Sequence, residues 1–466
     1  IFNLTGPVVR EFPAKGINRL PNPAYDYDTK LFEESVNWGS ILNTTFDLNS
    51  SNRIHWKNFF SVNNDKQVRE YSGFNYTIPY EIGAQKLNFI QRNIFNSQFG
   101  GDHRLNITER PSKLDWKISF SEANRNQPDM RDTVYAATPG RLQTGTPATL
   151  VETTLSGSHF YSRNKDITKN FALNYELPFS QPWNGIEGKV KIGYSAINRE
   201  RNFEAEFFRM RSKNPDNLNL LGSPTPTPNY PLPPEIIFHP FNRGTKGYYV
   251  QEDTRATDSY SANQKLHATY LQFDLPVLSK LRFIGGARRE DNFQFVRTFS
   301  PFDNLSELKG HYDIRTYLDG YALSVYDPAF VRTTAINQNK DILPSANFVY
   351  SLDDKTNIRL AYTETLARPD FREMSPFEFT DIFGGPPVKG NPYLTRSYIH
   401  NYDVRYEVYP GEDDLIAFGI FYKNIASPIE KVTEVDSQFR YTVVNAKNAY
   451  IRGAEVEFRK GLDFVS

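Results

Sequence analysis

The chain has 466 residues, 54 basic and 54 acidic side chains, no Cys, and 15% aromatics alongside a mean hydropathy of −0.58. The charge balance gives no support for nucleic-acid binding, which leaves a basic excess. The lack of Cys rules out a disulfide framework, a thiolate metal site and a Cys nucleophile, and no run approaches the ~20 apolar residues of a membrane helix.

Alternating polarity predicts strands, because successive side chains in a strand point to opposite faces. Residues 1–33 read as an external loop. Trp38, Leu42, Phe46 and Leu48 share one parity, Asn49–Asn52 is a turn cluster, and Ile54, Trp56, Phe60 and Val62 follow. Phe171, Leu173, Tyr175, Leu177 and Phe179 form one face. After Gln181–Gly185 the return face is Val190, Ile192, Tyr194 and Ala196, opposite Lys189, Lys191, Gly193 and Ser195. Leu271, Phe273 and Leu275 run into Pro276, and Leu281, Phe283 and Ala287 come back. Phe348 and Tyr350 lead to Asp353–Thr356, and Ile358, Leu360, Tyr362 and Leu366 leave it. Tyr402, Val404, Tyr406 and Val408 lie opposite Asn401, Asp403, Arg405 and Glu407. A Pro-Gly-Glu-Asp-Asp turn precedes Ile416, Phe418, Ile420 and Tyr422.

These patterns predict about thirteen strands: 34–48, 53–70, 83–98, 111–125, 165–178, 187–208, 259–276, 280–298, 341–352, 356–367, 396–409, 414–432 and 440–460. Tight turns alternate with long polar loops at about 126–164, 209–258, 299–340 and 368–395. Short turns on one side and long loops on the other describe an antiparallel transmembrane β-barrel of the bacterial outer-membrane kind. A charge on the lipid side near mid-membrane costs ~2–4 kcal/mol, so the charged parity must face a wet or polar-filled lumen. An odd strand count, an opening at Ile1 rather than Met, no signal peptide and a stop shortly after a strand suggest a piece of a longer chain.

Several segments then resemble the TonB-dependent outer-membrane receptors. They are Leu343–Tyr350, Asn357–Glu373, Gly390-Asn-Pro-Tyr-Leu394 with Tyr402–Tyr406, Phe421–Glu430 and Gly453–Phe458, with weaker likeness at Ser35–Gly39 and Gly100–Arg104. The resemblance implies a 22-stranded barrel occluded by an N-terminal plug, with energy delivered through TonB. It makes residues 1–466 the middle of that barrel, without the plug, the TonB box or the closing C-terminal strands. About three strands would precede it and about six would follow. It implies a monomeric receptor in the outer membrane of a Gram-negative-type bacterium, in contact with lipid, the TonB complex and a small nutrient such as a ferric siderophore, a cobalamin or an oligosaccharide. Two other readings stand beside it: a passive porin or surface adhesin, and a soluble all-β carbohydrate-active protein with both strand faces hidden from lipid.

No enzyme activity, catalytic set, cofactor or metal site is expected. The seven His residues are scattered, Gly384-Gly-Pro-Pro387 lacks the Lys-Ser/Thr and helix of a phosphate loop, and Glu252, Asp253 and Asp258 read as a solvated acidic loop. The candidate ligand-binding residues are Arg368, Asp370 and Arg372 at the outer rim, with Phe377, Phe379 and Phe383 in the loop beyond. The Arg368-Pro-Asp-Phe-Arg372 run also reads as a strand end locked by Pro369 and ion pairs, and this reading is favoured. The three Phe rings could stack on a planar ligand or pack the loops together.

Overall fold

The computed structural model describes residues 2–12, 22–76, 79–107, 110–140, 149–151, 156–212, 239–242, 247–255, 257–299, 334–379, 387–411, 413–435 and 439–461, without the side chains of 2–12, 22–24, 149, 242, 299, 379, 435 and 439. The strands are β1 (Phe2–Phe12), β2 (Asn22–Asn49), β3 (Asn52–Asn75), β4 (Tyr80–Leu105), β5 (Ser112–Ala137), β6 (Thr149–Leu150), β7 (Ser158–Ser180), β8 (Glu187–Ser212), β9 (Tyr248–Glu252) and β10 (Ser259–Leu278). There follow β11 (Leu281–Phe299), β12 (Thr334–Asp353), β13 (Thr356–Ala367), β14 (Glu378–Phe379), β15 (Val388–Lys389), β16 (Ser397–Val408), β17 (Leu415–Ala426), β18 (Ile429–Val435), β19 (Phe439–Asn445) and β20 (Asn448–Arg459). One helical turn, α1, spans Phe371–Met374.

Fourteen strands form one continuous path, β1-β2-β3-β4-β5-β7-β8-β10-β11-β12-β13-β16-β17-β20, in which every neighbour is antiparallel and follows in chain order. All thirteen expected strands lie on it, and β1 is the fourteenth. β2 opens at Asn22, inside the stretch expected as an external loop. The ends of β17 and β20 also differ from expectation: β18 and β19 leave the main path and join β14 and β15 in a separate four-stranded sheet.

Directly paired residues share a face, so the register carries the apolar parity from strand to strand. One row runs Phe283, Phe348, Leu360, Val404, Ile420 and Ala454. A second runs Tyr362, Tyr402 and Tyr422, with ring centroids 5.1 and 6.2 Å apart. Tyr402, Val404 and Tyr406 are 47, 40 and 43% exposed, and no described sheet or helix covers them. A soluble two-layer protein would bury this face. An outward belt with tyrosines in a girdle is what lipid requires.

The opposite, inner face is knit by ion pairs. Toward the short turns, Glu407 accepts from Arg359 at 2.7 Å and Arg405 at 2.9 Å, and Arg405 also reaches Glu457 at 2.6 Å. Glu176 meets Lys189 and Lys191, and Asp274 meets Arg282. Buried apolar clusters also lie on the inner face, toward the long loops. Tyr25, Tyr27, Tyr71, Ile82, Val134 and Ala136 form one; Tyr260, Ala262, Val296, Ala335, Phe371 and Met374 form another.

Most first-half strands run well past their expected ends. β5 continues from 125 to Ala137 through a bulge between Gln127 and Met130, where Pro128 sits. The extra residue exchanges the two faces: Arg125 points inward before the bulge, and Val134 and Ala136 point inward after it. Sequence alternation breaks there although the strand does not.

Candidate functional site: a loop docked on the inner wall

The connection from β13 to β16 folds onto the inner face of β7, β8, β10, β11 and β12. Pro369 is fully buried at its start. Asp370 caps α1: its side chain accepts from the Arg372 N–H at 2.9 Å, while Glu373 accepts from the Asp370 N–H at 2.8 Å. This reciprocal capping box sets the turn locally from sequence. Phe371 and Met374 are 1 and 0% exposed against Tyr260, Ala262, Val296 and Ala335. Phe377 packs on Phe160, Ala205 and Phe203. Gly390 allows the return limb to pass, since a Cβ there would lie 2.1 Å from the Ser375 carbonyl oxygen.

Ion pairs fasten both ends of the loop. Arg368 reaches Glu290 on β11 at 2.8 Å and Asp341 on β12 at 3.4 Å. Asp341, whose side chain is fully buried, also receives Arg396 at 2.8 Å and the Tyr398 hydroxyl at 2.6 Å. Asp370 accepts from Arg201 of β8 at 3.0 Å, with Arg199 at 3.7 Å, and both arginines are held from β7 by Asp166. The two guanidiniums lie 4.9 and 5.4 Å from the Phe371 ring centroid. Arg372 donates to the Phe377 carbonyl at 2.8 Å and lies over that ring. Burial pushes the Arg372 guanidinium down to about 10, so it stays charged at neutral pH.

The loop is also tied to the β17–β20 connection. β15 pairs in parallel with β19, Asn391 donates to the Val443 carbonyl, and Asn445 accepts from the Thr395 N–H at 2.8 Å. These two connections form one surface unit.

The structure therefore gathers Arg368, Asp370, Arg372 and Phe377 into one site. The Phe379 side chain and Phe383 lie outside the described residues. The partners that sequence reading did not single out are Asp166, Arg199, Arg201, Glu290, Asp341 and Arg396. Parity alone could have flagged the arginines, because continuing the inward set Lys189, Lys191, Gly193 and Ser195 brings Arg199 and Arg201 onto the same face.

The acidic loop corrects its expectation. Asp258 is buried rather than solvated, being 3% exposed and accepting from the Arg255 N–H at 2.8 Å; burial pushes its carboxyl up to about 6. Asp253 pairs with Arg209, and Glu252 accepts from the Thr254 N–H. The described histidines keep separate company: His159 with Asp129, His267 with Tyr194, and His400 with Glu364 and Tyr362. Among the described residues no group of three or more His, Asp or Glu is placed to hold a metal ion.

A wall with an outward apolar belt, a charged inner face and a loop laid against that inner face is that of a transmembrane β-barrel. The family model for the TonB-dependent receptor-like β-barrel matches residues 24–464, and the chain belongs to that family. The chain is similar to the alcaligin outer-membrane receptor FauA of Bordetella pertussis (11% identity, TM-score 0.40, covering 98% of this chain and 57% of that one). It is also similar to the ferric enterobactin receptor PfeA of Pseudomonas aeruginosa (10%, 0.43, 99% and 60%). The ferric-catecholate import receptor Fiu of E. coli K12 matches at 9% and 0.46, covering 93 and 62%. The chain thus spans about three fifths of the length of these solved structures. No curated protein matches it.

Proposed function

We propose that this chain forms barrel wall and outer loops of an outer-membrane receptor of a Gram-negative-type bacterium. The complete protein would capture a scarce nutrient, in the first instance an iron–siderophore complex, and import it with energy delivered through TonB. The two-faced wall carries this reading: Val404 and its row face outward, while Arg405, Glu407 and Glu457 pair on the inner side. Such a wall divides lipid from a polar interior, and its family is one of receptors rather than enzymes. A sheet edge with unpaired N–H and C=O groups is too costly in hydrocarbon. Further strands would therefore close this path into the 22-stranded barrel of plugged transporters, and the complete receptor would work as a monomer.

Uptake of radiolabelled ferric chelates by cells carrying the full-length protein tests the proposal. Accumulation should require both the protein and TonB. Uptake that persists without TonB, or steady ion conductance across planar bilayers with no energy source, would replace it with a passive pore.

A further inference from the structure

On β8, beneath the docked loop, two inward arginines crowd one acid of the wall. Arg199 and Arg201 share a single wall carboxylate, Asp166. On the neighbouring β5, the inward Arg125 bonds only the neutral Ser162 and Gln127, and among the described residues no carboxylate lies within ion-pair distance of it. Further along the same face Arg92 is matched by Asp65. Around Asp166 two arginines thus share one wall carboxylate, and Asp370, brought in by the loop, supplies a second. The two acids that hold Arg201 differ in exposure: the Asp166 side chain is 10% exposed and Asp370 43%. Asp370 is the replaceable one.

We infer that Arg199 and Arg201 form an oxyanion-binding site on the inner wall, filled in this structure by the Asp370 carboxylate and open to the carboxylate of an incoming ligand once the loop lifts. Toward the loop each guanidinium presents one terminal nitrogen, Arg201 Nη1 at 3.0 Å and Arg199 Nη1 at 3.7 Å from the two Asp370 oxygens, so a group with two anionic oxygens can meet both cations at once. Loop and ligand would then compete for one site, so ligand entry and release of residues 368–379 are a single equilibrium. The ligand class this favours within the proposed receptor is an anionic, carboxylate-bearing metal chelate rather than a neutral one.

The test uses the full-length receptor in outer-membrane vesicles. Ser375 is fully buried under the docked loop, so a Ser375→Cys variant reports loop release by its rate of maleimide labelling. Asp370→Asn keeps a good helix cap and removes the charge. Labelling should rise about tenfold in Asp370→Asn, the factor expected on losing a charge-assisted hydrogen bond. Citrate and ferric citrate should raise it in the Asp370 protein, and a neutral ferric hydroxamate should not. Citrate should bind Asp370→Asn more tightly than the Asp370 protein and should lose that affinity when Arg201→Gln is added. Labelling indifferent to both Asp370→Asn and citrate would overturn the inference, as would equal acceleration by the neutral chelate. Failure of chelate uptake with the citrate response intact would instead sink the receptor reading and leave the anion site standing.

Discussion

The two ends of the strand path solve the same problem at different lengths. β13, β16, β17 and β20 have 12 residues each, close to the ~9–11 that a tilted strand needs to cross a bilayer. β2, β4, β5 and β8 have 26–28, enough to span roughly 85–95 Å. The short strands carry one environment, lipid outside and ion pairs inside. The long ones carry two, because beyond the belt their outer face meets water and their inner face acquires an apolar core around Tyr27, Tyr71 and Val134. One part of the wall is little longer than a bilayer crossing; the other also carries a buried apolar core on its inner face.

Charge placed on the two parities of one short strand should break this symmetry most strongly. Val404→Arg puts a guanidinium in the belt and should cost about 2–4 kcal/mol, whereas Asp403→Asn on the inner parity should cost well under half of that. Denaturant unfolding of the full-length protein in lipid vesicles measures both, and equal losses would mean that the faces are wrongly assigned.

A smaller, local effect is expected where the loop meets the long-strand half. Arg368→Met leaves Glu290 and Asp341 each with one remaining arginine. It should loosen the loop by about 2 kcal/mol, the scale of a charge-assisted hydrogen bond. Limited proteolysis should then cut within 368–396 while the barrel stays intact; unchanged protection would mean that apolar packing of Phe371 and Met374 holds the loop alone.

The loop before β10 should respond to pH. The Asp258 carboxyl is raised to about 6 by burial, so the folded loop favours the protonated form. Its stabilising contribution is complete below about pH 4, the ordinary carboxylate value, and fades as pH rises through about 6. Hydrogen exchange of residues 253–259, corrected for intrinsic rates, should quicken between pH 5 and 7, by on the order of 1–2 kcal/mol in local opening. Asp258→Asn should abolish that dependence. The smallest change belongs to the short-strand half: Arg459, 65% exposed beside Glu457, should tolerate Ala within about 0.5 kcal/mol, since solvent screens such pairs. A larger loss in the same unfolding measurement would show that the ladder acts as a coupled network.

The legibility of the sequence follows the same division. Around Ile358–Leu366 and Tyr398–Tyr422 one parity is apolar and the other polar, so strand, face and turn could be read directly. At 126–137 the bulge exchanges the faces and Pro128 looks like a breaker, so a continuing strand read as loop. In the candidate site the capping box of Asp370 and Glu373 is written locally, and so was the expectation of a strand end locked by Pro369 and ion pairs. The partners were not legible, because Arg201 is 169 residues from Asp370 and Glu290 is 78 from Arg368.

Alternation alone determined that this chain builds a two-faced antiparallel wall with lipid on one side, since a period of two needs no long-range information. Only the tertiary structure decided which charges meet across that wall and that residues 368–379 lie down upon it. Such contacts depend on the register of many strands added in series, and no local pattern records that sum.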